Sequence, residues 1–478
     1  MFGLRMCKRN RLSFIRALVI LICLCVVVLL LKNAGNSRVE NLELDDIFTK
    51  EAVLYNRQTT KGNDIVPRKE TASINAKPVQ LNNIKPIQSN NIKPIQSNNN
   101  KPIAKLDKYG NLADLRETVK FLNSKQYILN VRKFPKRSKD SVVIVVQVHK
   151  RSNYLLKLID SLRKAKGISD ALLIISHDYY ASEINNIIQG IDFCQVLQIF
   201  FPYSEQLYPD KFPGSDPNDC PRDMSRSQAR AMGCINAEHP DKYGHYREVK
   251  FTMTKHHWWW KANRVFKELQ ATKNHNGLVL LLEEDHCVAP DFYEVLKKAY
   301  HVKKTDTKCQ EYGCNIITLG DYKTVTNFQT VGSQVLQIQP WRSTENNMGM
   351  AFDREMWTDI TKCREMFCTY DDYNWDWTLM RISLRCLQKQ LTVLLFLAPR
   401  VFHLGTCGLH HKDRDCNIQT VLAQVQEVID RSKAVLDPAS LEIEVARPWI
   451  PGHIGQANGG WGDTRDHELC LNFTKSTD

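Results

Sequence analysis

Leu278-Val-Leu-Leu-Leu-Glu-Glu-Asp-His-Cys-Val-Ala-Pro-Asp-Phe-Tyr293 is the stretch on which the reading of this chain turns. Its five consecutive apolar residues, Leu278 to Leu282, read as a fully buried strand. The run breaks directly into Glu283, Glu284 and Asp285. In an open α/β sheet ligands bind outside the carboxyl ends of the strands, so acids there face a site instead of a core. Carboxylates in that position suit a hard divalent cation and the diphosphate it would neutralise. The competing reading is a helix cap, since Pro290 and Asp291 mark a helix start a few residues on.

Upstream, strand and helix alternate. Val142 to Val148 reads as a buried strand and Tyr154 to Lys166 as an amphipathic helix with Leu155, Leu158, Ile159 and Leu162 on one face. A strand from Ala171 to Ser176, a helix from Ala181 to Gln189 and a strand from Val196 to Phe200 follow. This alternation predicts a right-handed parallel βαβ sheet, wound as in nucleotide-binding domains. No strand ends in GxGxxG or GxxxxGK[ST], so dinucleotide and P-loop sites lose their main support. Tyr203 to Tyr246, rich in Pro, Asp and Gly, reads as a long insertion stapled by a disulfide between Cys220 and Cys234.

His256-His-Trp-Trp-Trp260 leads into a helix whose three tryptophans are not expected to face one core, so at least one is expected on a sugar-binding surface or interface, the competing reading being that all three pack inside an unusual hinge. The two histidines diverge by about 100° on a helix and are not taken as a ligand pair. Downstream of the opening stretch, Asn315 to Leu319 is a further strand, and Trp341 to Met350 is a polar loop. Tyr370-Asp-Asp-Tyr-Asn-Trp-Asp-Trp377 sets three acids among four aromatics, the composition of a carbohydrate site. A last buried strand near Leu391 to Leu397 runs into Pro399-Arg-Val-Phe-His-Leu-Gly405, leaving His403 just past a strand end.

At the N-terminus Arg5, Lys8, Arg9 and Arg11 precede an apolar run, uninterrupted from Ala17 to Leu31. Its length suits a bilayer span, and the basic flank keeps the N-terminus cytosolic. A cleaved signal peptide, with Ala34-Gly35 as its end, is the competing reading. From Lys32 to about Lys105 the octapeptide Asn82-Asn-Ile-Lys-Pro-Ile-Gln-Ser89 recurs at Asn90 to Ser97, a polar repeat unable to bury a core. The resulting division is a cytosolic tail 1–11, a transmembrane signal anchor 12–31, a disordered stem 32–105 and a luminal catalytic domain 106–478.

The net charge of +13 is dispersed and lacks a nucleic-acid signature. Twelve of the fifteen cysteines begin at Cys194 without a zinc spacing, which favours disulfides and an oxidising compartment. The sequon Asn472-Phe-Thr474 agrees with that and makes Asn472 a glycosylation site.

Val145-Val-Gln-Val-His-Lys-Arg151, Glu283-Glu-Asp-His286, Tyr370 to Trp377 and Asn458-Gly-Gly-Trp-Gly-Asp463, behind an anchor and a stem, resemble the alpha-1,6-mannosyl-glycoprotein 2-beta-N-acetylglucosaminyltransferases, the N-acetylglucosaminyltransferase II family. The similarity runs from about Ser141 to Cys470. It implies a Golgi type II membrane enzyme of the GT-A fold, with a Rossmann-like mixed, mostly parallel sheet. The implied reaction is inverting, UDP-GlcNAc- and Mn²⁺-dependent transfer of GlcNAc in β1,2 linkage to the α1,6-arm mannose of the N-glycan core, on glycoproteins. By the same resemblance Asp285 and His403 are the metal ligands. Arg151, Asp178, Glu283 and Glu284 adjoin the nucleotide-sugar, Asn347 and Trp375 the acceptor, and Asp376 is the catalytic base. It also implies disulfides Cys220–Cys234, Cys309–Cys314, Cys363–Cys386, Cys368–Cys470 and Cys407–Cys416, with Cys194 and Cys287 left over. A homodimer is left open.

Three alternatives stand beside it. A different Golgi β-N-acetylglucosaminyltransferase shares every motif class. A luminal glycosidase would use two of the clustered carboxylates without nucleotide or metal. A membrane-tethered lectin would need only the tryptophans.

Overall fold

The acids of the opening stretch lie at the end of the fifth strand of a large mixed sheet. The computed structural model describes residues 112–323, 325–405, 417–449, 453 and 455–475, all within one compact unit, Ser97–Asp478. Its strands are β1 (Ile128–Leu129), β2 (Val143–Val148), β3 (Leu172–His177), β4 (Gln195–Phe200), β5 (Val279–Glu283), β6 (His286–Val288), β7 (Cys314–Thr318), β8 (Val335–Pro340), β9 (Met350–Phe352), β10 (Thr392–Phe396), β11 (Val401–His403) and β12 (Glu442–Val445). Among the described residues the main sheet runs β1-β4-β3-β2-β5-β9-β7-β10-β8-β12, and β11 pairs with β6 in a separate antiparallel ribbon. β4, β3, β2 and β5 form a parallel block. β9 then enters antiparallel between β5 and β7.

The expected alternation of strand and helix is present, with ends shifted by one to three residues. The strands of the parallel block are apolar at almost every position because both faces of the sheet are covered. Ile144, Val146 and Val148 pack toward Leu155, Leu158 and Leu162 of the helix Ser152–Arg163. Val143 and Val145 point the other way, toward Trp258, Trp259 and Phe266. The two-residue period of each strand thus feeds two separate cores.

Two expectations change here. The three tryptophans are all buried, at 1, 0 and 6% exposure. Their helix, Val249–Asn263, is enclosed on every side from Lys255 onward, with Phe367 and Trp375 stacked on it and Trp357 tilted against it. None of them lies on a sugar-binding surface; the core they fill is simply wider than one helix face. Asp291 does precede the helix Phe292–Thr305, but it makes no side-chain cap. Its carboxylate instead accepts from the buried Arg400 guanidinium and from the Asp437 N–H.

Cys220–Cys234, Cys309–Cys314, Cys363–Cys386 and Cys368–Cys470 are bonded, and Cys194 and Cys287 are free and buried. The pair Cys407 and Cys416 lies outside the described residues, as do the tail 1–11, the anchor 12–31 and the stem 32–105. No described helix is long and apolar enough to cross a membrane.

Candidate active site

Parallel register brings the carboxyl ends of β2, β3 and β5 to one edge: Gln147 pairs with Glu283 and with Ser176, and Val148 with His177. The turns leaving these strands therefore carry His149, Arg151, Asp178, Glu284 and Asp285 out together. His403 arrives separately, because β11 pairs with β6 so that His403 faces His286.

Asp285 is the centre of the group. Its Oδ2 accepts from Arg151 Nη1 at 2.9 Å and stands 3.3 Å from His403 Nε2. Burial alone would raise its pKa, but the His403 hydrogen bond and the charges of His286, His403 and Arg151 hold it far below the usual carboxylate range. In turn burial opposes protonation of His403, and Asp285 and Glu283 outweigh it, so that its pKa rises. Glu284 is turned inward: it accepts from Arg151 Nε at 2.7 Å and from the His149 N–H at 2.8 Å. Glu283 is partly exposed, and burial raises its pKa, with the Asp285 charge adding to the effect.

Asp285 Oδ1 is buried and has no hydrogen-bond partner, which leaves a charged oxygen in want of a ligand. A Cβ at Gly405 would collide with the Asp285 carboxylate and press on the His403 ring, so only glycine leaves that space open. Donor atoms of Glu283, Asp285 and His286 lie within 4.8 Å of one another. His286, however, accepts the Glu283 N–H on Nδ1, and burial lowers its pKa to about 4. Its ring is neutral with the proton on Nε2, so neither nitrogen offers a lone pair to a metal. The set that fits a divalent ion is Asp285 with His403 beside it and Glu283 nearby.

Asp178 sits beyond β3 between two histidines, 2.6 Å from His149 Nδ1 and 3.7 Å from His257 Nδ1. Burial opposes its ionisation, and the two imidazoles overcome that and depress its pKa.

The opposite wall is built by Tyr370 to Trp377. Asp371 accepts from the N–H groups of Lys242 and Trp461. Asp372 is fully buried and accepts from the Asn374 and Asn458 N–H groups and from Asn458 Nδ2. Both acids bind loop to loop, and Asp372 is sealed from solvent. Asp376, in the first turn of the helix Trp375–Arg385, accepts from Asn347 Nδ2 at 2.8 Å and from the Trp377 N–H at 2.9 Å. Burial first, with the Asp372 charge adding to it, pushes its pKa up to about 7. Tyr322, 54% exposed, donates to Asn347 Oδ1. Its phenol pKa is raised by burial and then by the charges of Glu283, Asp376 and Asp285.

The family model described as N-acetylglucosaminyltransferase II (MGAT2) matches residues 116–470, a span that includes both walls. The chain belongs to the N-acetylglucosaminyltransferase II family. Its relatives include the alpha-1,6-mannosyl-glycoprotein 2-beta-N-acetylglucosaminyltransferases of Rattus norvegicus, 48% identical over 360 residues, 75% of this chain and 80% of the relative, and of Homo sapiens, 47% identical over 360 residues, 75% and 79%. Among solved structures, S. aureus TarS 1–349 is 10% identical with a TM-score of 0.29, covering 62% of this chain and 73% of its own; so distant a likeness carries no weight.

Within this N-acetylglucosaminyltransferase II chain, the structure brings Arg151, Glu283, Glu284, Asp285 and His403 into one cluster. It brings Asn347 and Asp376 into direct contact and stacks Trp375 on Trp258 at 4.5 Å. Asp178 belongs to a neighbouring histidine cluster. Three participants were not singled out in the sequence: His149, which fixes Asp178; His286, which backs Glu283; and Tyr322, which holds Asn347. His149 and His286 had a signal, each lying at or beside a strand end. Tyr322 had none. Asn472 ends the helix Thr464–Asn472 and is exposed. It flanks a cleft of about 640 Å³ with Arg364, Glu365, Glu468 and Lys475.

Proposed function

We propose that the protein is an inverting GT-A glycosyltransferase that moves GlcNAc from UDP-GlcNAc to O2 of the α1,6-arm mannose of the N-glycan core, forming a β1,2 linkage. The observation that carries this reading is the family match, which runs unbroken across both walls of the site. Inversion of an α-linked donor needs one displacement and one base. Asp376 is the carboxylate suited to it, since it is partly exposed and has a pKa near neutrality, where a general base works best. Asp371 and Asp372 are consumed by backbone donors. Asn347 and Trp375 flank the base and are assigned to the acceptor mannose. Arg151, Glu284 and Asp178 are assigned to shaping the nucleotide-sugar side. Asp285 and His403 would hold Mn²⁺, with Glu283 adjoining. When bound, the ion supplies Lewis-acid neutralisation of the departing diphosphate.

The proposal extends to place and processing: a Golgi membrane protein of type II orientation with its catalytic domain luminal, carrying an N-glycan on Asn472. The basic residues ahead of the apolar run Ala17 to Leu31 and the four disulfides support that compartment.

The test supplies the purified full chain with UDP-GlcNAc, Mn²⁺ and a trimannosyl core already bearing GlcNAc on its α1,3 arm. Transfer to the α1,6 arm, abolished by chelation and restored by Mn²⁺, is expected. No transfer with or without metal overturns the reading; transfer that survives chelation overturns the metal assignment alone.

A further inference from the structure

Lys255 is fully buried on the helix Val249–Asn263, and no carboxylate oxygen among the described residues stands within ion-pair distance of it. Its Nζ donates to two backbone carbonyls, Tyr370 O at 3.2 Å and Asp372 O at 2.9 Å, and lies 4.2 Å from the centre of a Trp461 ring. An ammonium sealed in a protein interior is expensive, and a methionine of similar volume would fill the space at less cost. The charge is therefore retained for what it holds.

What it holds is the loop that leads into Asp376. Tyr370 and Asp372 turn their carbonyls inward to Lys255. The Asp372 carboxylate accepts from Asn374 and Asn458. Two residues further on, Asn374 begins the helix that carries Trp375 and Asp376. Trp258, one turn beyond Lys255 on the same helix face, stacks flat on Trp375 at 4.5 Å and 5°. One buried helix face thus seats both the loop and the aromatic ring at its end. Burial lowers the Lys255 pKa to about 7 against the charges of Asp372, Asp371 and Asp466, and the amine has N–H groups to donate to both carbonyls whether or not it carries the extra proton.

We propose that Lys255 is a positioning residue for the acceptor wall, holding Tyr370 to Asn374 from inside so that Trp375 and Asp376 meet the acceptor sugar. This rests on the transferase reading above. A displacement of about 1 Å at a reacting group lowers turnover by about a hundredfold, so removing this hold acts on acceptor kinetics while the nucleotide side is untouched.

The experiment uses the full chain with Lys255→Met and, separately, Asn458→Ala, which withdraws one side-chain bond from the Asp372 carboxylate. Measured are UDP affinity by calorimetry with Mn²⁺, KM for UDP-GlcNAc, and kcat and KM for the acceptor. Lys255→Met is expected to lower acceptor kcat/KM by about tenfold or more with UDP affinity and donor KM unchanged. Asn458→Ala is expected to give a smaller loss of the same kind, and the double variant no more loss than Lys255→Met alone. Should Lys255→Met fail to fold, Asn458→Ala decides: an acceptor-only loss upholds the proposal. Acceptor kinetics like the unaltered chain, or equal losses in UDP affinity and acceptor kcat/KM, overturn it. Absence of transfer by the unaltered chain overturns both this and the functional reading, whereas normal transfer by the variants overturns this alone.

Discussion

Asp376 is a carboxylate surrounded by apolar mass and by another acid, with two hydrogen bonds to hold its charged form. The base works only when ionised, so acceptor kcat/KM is expected to rise with pH through about 7 and level off above it, as measured by a pH–rate profile. Asn347 donates to the charged form and lowers that pKa, so Asn347→Ala should move the rising limb to higher pH; a limb that stays in place or moves down contradicts the assignment. Stability carries the opposite sign. The unfolded carboxyl loses its proton near pH 4, the folded one near 7, so across that window the folded state is the one holding the proton and rising pH weakens it. Asp376→Asn is accordingly expected to keep its melting temperature at pH 8 and its UDP affinity with Mn²⁺ while losing turnover by about 10²- to 10⁴-fold. Near-normal turnover would remove Asp376 as base, and Asp371 and Asp372, tied as they are, would not replace it.

At the scale of the element, the helix Val249–Asn263 behaves as core on all sides from Lys255 to its end. Trp258 touches Trp357, Phe367 and Trp375, so Trp258→Ala should destabilise the domain by about 3–5 kcal/mol in calorimetric unfolding and also weaken acceptor use through Trp375. Trp375→Ala, at the partly exposed end of the stack, should lower activity with less loss of stability. A helix that reads as polar and aromatic in sequence gives no warning of this enclosure, because its covering residues come from 357, 367 and 375. The strands were legible for the opposite reason. A strand covered on both faces must be apolar throughout, and that requirement is local.

For the whole molecule, disulfides join segments at very different separations along the chain. Cys368–Cys470 closes a separation of 102 residues and Cys309–Cys314 one of 5. Loop-closure entropy assigns them about 4.7 and about 2 kcal/mol, so serine replacement of the first pair should lower the melting temperature considerably more than of the second. Equal losses would show that native-state packing, not chain entropy, dominates. Asn472 is the acceptor of the one sequon in the chain, and it is exposed on the folded domain. Full-length protein from animal cells should therefore shift once on deglycosylation, and Asn472→Gln should abolish the shift; a chain with no shift is unglycosylated there.

The sequence by itself determined the alternation of strand and helix, the acids at the end of Leu278 to Leu282, the cysteine-rich framework and, through strings of matching residues, the family. All of these are local patterns or spacings along one strand or loop. Only the tertiary structure decided which acids have room to act. It closed Asp371, Asp372 and Glu284 onto partners from 242, 458, 461 and 151, left Asp376 and one oxygen of Asp285 available, set His403 beside Asp285 and buried all three tryptophans. The physical reason is that a carboxylate's chemistry depends on burial and on which donors surround it. The donors that close Asp371, Asp372 and Glu284 include residues 86 to 133 positions away, which no window of sequence contains.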